Sequence, residues 1–187
     1  SDSEQDPFYL FLHIPKTAGT TLRSIVDQNL GLKMFSPIQS ELTETPGQFG
    51  CVSHLQAEFA IIGHFRFGLH KRLNRPSTYI TSLCHPVART ISQYKEFSVN
   101  HPHHLQDSDG NILSLTDSVR KKPKSVSKLS TEYLVDDEVS NPSDASAAEF
   151  FLKNLDSFFT AAGLVEYFNQ SISLMSDRFQ WQINEIQ

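Results

Sequence analysis

The chain has 187 residues, with 16 Lys and Arg against 21 Asp and Glu, a formal charge of −5 and a pI of about 5.9. That acidic balance argues against a protein dedicated to nucleic acid, and no apolar run approaches the length of a membrane span. With 39% hydrophobic residues and 14 Phe, residues 1–187 read as one domain with a sizeable core, and two cysteines, Cys51 and Cys84, are too few for a disulfide framework or a four-cysteine zinc site.

Residues 1–7 read as a disordered or polar tail, with neither the basic start nor the apolar stretch of a secretory signal. Residues 8–13 form a continuous apolar run with aromatics, which suits a buried parallel strand. Leu22, Ile25, Val26 and Leu30 then recur at helical spacing, and Gly31 is the expected stop. Residues 34–56, broken by Pro37, Pro46, Gly47 and Gly50, read as loop. A second short strand is expected over Phe59–Ile62, ending at Gly63 and His64, and a third over Thr78–Leu83. Pro86 opens a helix on which Val87, Ile91 and Tyr94 share one face. Residues 99–143 are an irregular insertion, holding His101, His103 and His104, a turn at Asp107–Gly110 and the basic run Arg120–Lys124. Ser146 and Glu149 have the spacing of a capping box for a helix that buries Phe150, Phe151 and Leu155. A strand over Phe158–Gly163 and an amphipathic helix through Phe168, Ile172, Met175 and Phe179 close the chain. Strands alternating with helices indicate an α/β fold whose central, mainly parallel sheet is flanked by helices.

The junction between the first strand and the first helix carries the clearest chemistry. A strand, a tight loop with a lysine and a glycine, then a helix builds an anion cradle, because the first N–H groups of a helix lack intrahelical partners and carry the positive end of its dipole. Lys16 adds a full charge, and Thr17, Thr20 and Thr21 add hydroxyls. Lys16 precedes Gly19 by three residues and follows no glycine in the loop, so the G-x-x-x-x-G-K-[ST] loop of ATPases and GTPases is absent, as is G-x-G-x-x-G. A P-loop phosphotransferase is disfavoured accordingly.

Pro15-Lys-Thr-Ala-Gly-Thr20 after an apolar strand resembles the 5′-phosphosulfate loop of sulfotransferases, and His13-Ile-Pro before the lysine is similar to the branch that includes heparan sulfate 2-O-sulfotransferases and bacterial relatives. Three further segments resemble that family in the expected order: Ile62–Leu69 with Gly63-His64, Leu83–Tyr94, and Gly163–Phe168 followed by a helix. Together they span residues 8 to 181. The resemblance implies a P-loop-like three-layer fold and an enzyme that moves the sulfuryl group of 3′-phosphoadenosine-5′-phosphosulfate to an acceptor hydroxyl on a carbohydrate or small molecule. The product would be adenosine 3′,5′-bisphosphate, and no metal is implied.

It also implies roles. Lys16 would sit on the 5′-phosphate and the bridging oxygen that leaves, with Thr17, Ala18, Gly19, Thr20 and Thr21 completing the cradle. His64 would be the general base, and Ser92 would bind the 3′-phosphate with Arg89 as a weaker candidate. Each has a plainer reading beside it: Lys16 as an exposed loop lysine, Thr20 as a helix N-cap, His64 as a hydrogen-bonded structural histidine, Arg89 as half of a surface ion pair. Gly19 is read as a site of close backbone approach to phosphate.

Cys84 departs from the family pattern, which has arginine there on the 3′-phosphate. A thiol does not replace a guanidinium fork, so a catalytically degenerate nucleotide-binding or interaction module is the alternative reading. No base accompanies Cys84 in the sequence, which argues against a nucleophile. The three insertion histidines lack helical H-x-x-x-H spacing and read as solvated loop residues, and Asp107–Asn111 reads as a turn because Leu113 and Leu115 replace calcium ligands. Arg66, Lys71, Arg72 and Arg75, with the run from Arg120 to Lys128, are basic patches that could hold an anionic acceptor or the cofactor's 3′-phosphate, or be solvated faces. Asn169-Gln-Ser171 matches a glycosylation sequon inside a predicted helix. The expected location is cytoplasmic, with the Golgi lumen as the alternative if the chain is a trimmed piece.

Overall fold

The computed structural model describes residues 7–30, 34–35, 60–73, 75–123, 128–136, 139 and 143–181. Five strands, β1 (Phe8–Leu12), β2 (Met34–Phe35), β3 (Ala60–Gly63), β4 (Ser77–Leu83) and β5 (Phe159–Leu164), pair in the order β2-β3-β1-β4-β5, and every pairing is parallel. Among the described residues the helices are α1 (Gly19–Leu30), α2 (Pro86–Asn100), α3 (Leu115–Lys121), α4 (Leu129–Leu134), α5 (Asp144–Phe158) and α6 (Phe168–Phe179).

Side chains alternate across a strand, so an apolar run buries both faces of the sheet. Phe8, Leu10 and Leu12 of β1 join Ile61 and Tyr79 on one face, where Tyr133 of α4 and Phe150 and Phe158 of α5 cover them. Phe11 lies on the other face with Ile62 and Ile80, against Leu22, Ile25 and Val26 of α1 and Ile172 and Met175 of α6. The result is the expected three-layer α/β arrangement.

Three details differ from the sequence reading, and a fourth goes beyond it. Met34–Phe35, expected as loop, pairs with Ala60 and Ile61 as a parallel edge strand; Gly31 and residues 36–59, Cys51 among them, lie outside the described residues. The cap of α5 is Ser143, whose hydroxyl accepts from the Ser146 amide, so the helix starts three residues before the predicted capping box. The stretch 99–143 contains α3, α4 and a 3-10 turn at Pro102–Leu105. Most telling is α2, whose face of Val87 and Ile91 points outward, 59% and 37% exposed, while Arg89 and Gln93 are buried.

The strand ends converge. β1 lies between β3 and β4, with Leu12 in register with Gly63 on one side and Thr81 on the other. The His13 amide donates to Gly63 O (2.9 Å) and the Thr81 hydroxyl to Leu12 O (2.9 Å), which fixes where the chain leaves the sheet. In open α/β sheets the crevice at such a switch point, outside the carboxyl ends of the strands, is where ligands sit.

Candidate functional site

The loop after β1 is a strained turn. Lys16 and Ala18 have φ of 67° and 57°, left-handed values that cost a side-chain-bearing residue about 1–2 kcal/mol each. Alternating the hand of successive residues turns their amides toward one concavity, the geometry of an anion-binding nest. Thr17 is buried between them, and its hydroxyl donates to Ile14 O at 2.7 Å, so that hydroxyl locks the turn. The first helical bond runs from the Leu22 amide to Ala18 O (3.0 Å), leaving the amides of Gly19, Thr20 and Thr21 without intrahelical acceptors.

Gly19 is required for a reason beyond ligand approach. A Cβ built on it would lie 1.6 Å from Nε2 of His13. The His13 ring therefore lies directly against the start of α1.

His64 follows β3 and hydrogen-bonds through Nδ1 to the carbonyl of His13 at 2.7 Å. A carbonyl only accepts, so the neutral ring carries its proton on Nδ1 and leaves Nε2 as the basic nitrogen. The two imidazoles lie 4.4 Å apart, and Tyr133 meets His64 edge-on at 6.4 Å. Burial, then the neighbouring charges of His64 and Arg23, lowers the pKa of His13 to about 4, so His13 is neutral at physiological pH. Burial raises the Tyr133 phenol, with Arg66 opposing.

Helix α2 forms the opposite wall. Its polar face turns inward: Ser92, Gln93 and Glu96 line the cleft, and Arg89 is fully buried beneath them. Arg89 is thus an interior side chain, not the surface residue considered from the sequence. Lys16 Nζ lies 3.2 Å from Glu96 Oε2, and Asn100 Nδ2 donates to Glu96 Oε1 at 2.8 Å. The Asn100 hydrogen bond, then Lys16, holds the Glu96 carboxyl below the usual carboxylate range.

The start of α2 carries an internal anion. Glu166 Oε1 accepts from the His85 amide (2.7 Å) and from the Cys84 thiol (3.4 Å). Burial, then the contact with Glu166, pushes the Cys84 thiol up, which keeps it protonated and agrees with its exclusion as a nucleophile.

One cleft of about 1030 Å³ brings together Lys16, Ala18, Gly19, Thr20, His64 and Ser92 from the sequence reading. Thr17, Thr21 and Arg89 do not line it. Sequence reasoning missed His13, Gln93, Glu96 and Tyr133, which do. For Glu96 a signal existed, since it follows Ser92 by one helical turn on the same face. The basic residues after His64 have structural partners: Arg66 pairs with Glu132, Lys71 with Asp136, and Arg75 lies over the Phe8 ring at 3.7 Å. Lys122 donates to His104 O at 3.0 Å, while Lys124 is outside the described residues. The His103 and His104 rings lie 4.2 Å apart, tilted by 41°, and among the described residues no group of three or more His, Cys, Asp or Glu is placed to hold a metal. Asp107 Oδ1 accepts from the Asp109 and Asn111 amides, closing the expected turn, and Ser171 of the sequon lies on α6, bonded to Leu164. No helix among the described residues is long and apolar enough to cross a membrane.

No protein-family model and no curated protein matches the sequence. Solved structures do match the fold. The chain is similar to mouse sulfotransferase SULT7A1 complexed with PAP, with a TM-score of 0.56 and 10% identity over 98% of this chain and 62% of the mouse chain. It is also similar to a sulfotransferase from Alicyclobacillus acidocaldarius, with a TM-score of 0.53 and 13% identity over 95% of this chain and 82% of the bacterial one. The chain thus has the α/β fold of sulfotransferases and spans 62% of the length of the mouse protein.

Proposed function

We propose that the chain is a sulfotransferase that moves the sulfuryl group of 3′-phosphoadenosine-5′-phosphosulfate to an acceptor hydroxyl. The observation that carries this reading is the meeting, in one cleft, of Lys16, the open N-terminus of α1 and a histidine whose basic nitrogen is defined by its other hydrogen bond. The sulfotransferase fold and the PAP in the mouse neighbour support the same donor.

In this reading the nest of Lys16–Gly19 and the first amides of α1 hold the 5′-phosphate. His64 Nε2 takes the proton of the acceptor hydroxyl as its oxygen bonds to sulfur. The bond from sulfur to the bridging oxygen breaks, and adenosine 3′,5′-bisphosphate leaves with the electron pair. Lys16 and the amides stabilise the charge gathering on that oxygen, more in the transition state than in the ground state. His13, neutral and packed between the base and the cradle, holds the two at fixed distance. Ser92, on the cleft face of α2, is the group nearest in kind to a 3′-phosphate ligand.

A second reading rests on Cys84 and Glu166. A carboxylate at the start of α2, where the sequence resemblance implies a 3′-phosphate motif, favours a nucleotide-binding or interaction module without turnover. Sulfur-radiolabelled phosphosulfate offered with carbohydrate and phenolic acceptors separates the two. Labelled acceptor that vanishes in Lys16→Ala and falls about 100-fold or more in His64→Ala supports the enzyme. Bisphosphate binding with no labelled acceptor leaves the module.

A further inference from the structure

The ammonium assigned to the leaving oxygen is already engaged. Lys16 reaches across the cleft to Glu96 on α2, eighty residues away in sequence. We propose that Glu96 is a positioning residue for Lys16, a carboxylate that holds the ammonium across the cleft and yields it to the incoming anion. The inference rests on the sulfotransferase reading for the identity of that anion.

Both oxygens of Glu96 have partners. Oε2 takes Lys16, and Oε1 takes Asn100, one turn further along α2, so the side chain is braced on its own helix before it meets the lysine. At the other end the starting direction of Lys16 is fixed by its left-handed backbone and by the Thr17 to Ile14 bond. Neither group is deeply buried, with side chains 29% and 36% exposed, so the pair is weak enough to exchange. An ammonium has three N–H donors and can contact a phosphate oxygen before it lets the carboxylate go. Every anion bound at α1 then competes with Glu96 for Lys16 and meets its negative charge. Glu96 lowers the affinity of the cleft for anions while keeping the lysine aimed across it.

Two measurements on the full chain test this. In the first, a water-soluble succinimidyl ester acylates the lysines, and mass spectrometry compares Lys16 with Lys153, an exposed lysine of α5. Glu96→Gln should raise Lys16 labelling about two- to fivefold relative to Lys153. In the second, adenosine 3′,5′-bisphosphate is titrated calorimetrically. Glu96→Gln should bind it about two- to fivefold more tightly. Unchanged Lys16 labelling, or unchanged or weaker binding in Glu96→Gln while the wild type binds, overturns the proposal. If the wild type binds no bisphosphate, the functional reading fails, and the labelling alone decides whether Glu96 holds Lys16. Should Glu96→Gln fail to fold, Asn100→Ala removes only the brace and should shift both readouts in the same direction by less; no shift in either overturns the proposal.

Discussion

At the scale of single residues, the site is organised around His13 as much as around Lys16. The Gly19 Cβ position lies 1.6 Å from Nε2 of His13, so Gly19→Ala should destabilise the fold by about 1–3 kcal/mol in urea unfolding. His13→Ala vacates that space, and the double variant should lose less than the sum of the two single changes; a Gly19→Ala protein as stable as wild type would refute the contact. His13 also sets a pH dependence. Its folded pKa of about 4 lies below the ordinary 6.5, so between those values the unfolded chain binds the extra proton. Stability is therefore complete above pH 6.5 and falls as the pH drops toward 4, by about 3 kcal/mol. His13→Asn should flatten that slope. The residues that a motif announces, Lys16 and His64, were legible because their chemistry is carried by local spacing. His13 was visible only as part of the motif, because its role depends on a ring packing against a glycine across the turn. The spacing from Ser92 could have placed Glu96 on the same helix face, but its pairing with Lys16 is made only by the fold.

At the scale of elements, α2 shows why hydrophobic periodicity misleads beside a cleft. Its existence and start were readable from Pro86 and the spacing of Val87, Ile91 and Tyr94, yet the helix turns the opposite face inward, because that wall is lined by Ser92, Gln93 and Glu96 rather than by core. Apolar spacing located the helix without giving its rotation. The segment between β3 and β4 depends instead on one phenol. Tyr79 accepts from the amides of Gly68 (3.1 Å) and His70 (3.0 Å) and meets His70 Nδ1 at 2.9 Å, tying the 3-10 turn Leu69–Arg72 to the sheet. Tyr79→Phe keeps the ring but strands two poorly solvated donors, and should cost about 2–4 kcal/mol by thermal or urea unfolding. A loss under about 0.5 kcal/mol would mean the turn is held elsewhere. Strand positions transferred well from sequence to structure: β1 and β3 are apolar runs, and β4 is rich in the Thr, Tyr and Ile that favour strands. Met34–Phe35 did not, being two residues long and defined only by its partner β3.

At the scale of the whole molecule, β1 between β3 and β4 delivers the Pro15–Thr20 loop, His64 and the start of α2 to one end of the sheet, though they are far apart in sequence. The four segments that resemble sulfotransferases thus become neighbours, and the fold agrees with that of sulfotransferases at 10–13% identity. The 5′ end of the proposed donor site is built from a nest, a lysine and a helix terminus. The start of α2 instead holds Cys84 and the Glu166 carboxylate, so the affinity for a bisphosphate is the quantity on which the account turns. Calorimetric titration of adenosine 3′,5′-bisphosphate and of ATP into wild type and Lys16→Ala measures it directly. The account expects saturable binding of the bisphosphate, weaker or no binding of ATP, and loss of the bisphosphate signal in Lys16→Ala. No bisphosphate binding by the wild type, or equal affinity in the variant, would contradict it.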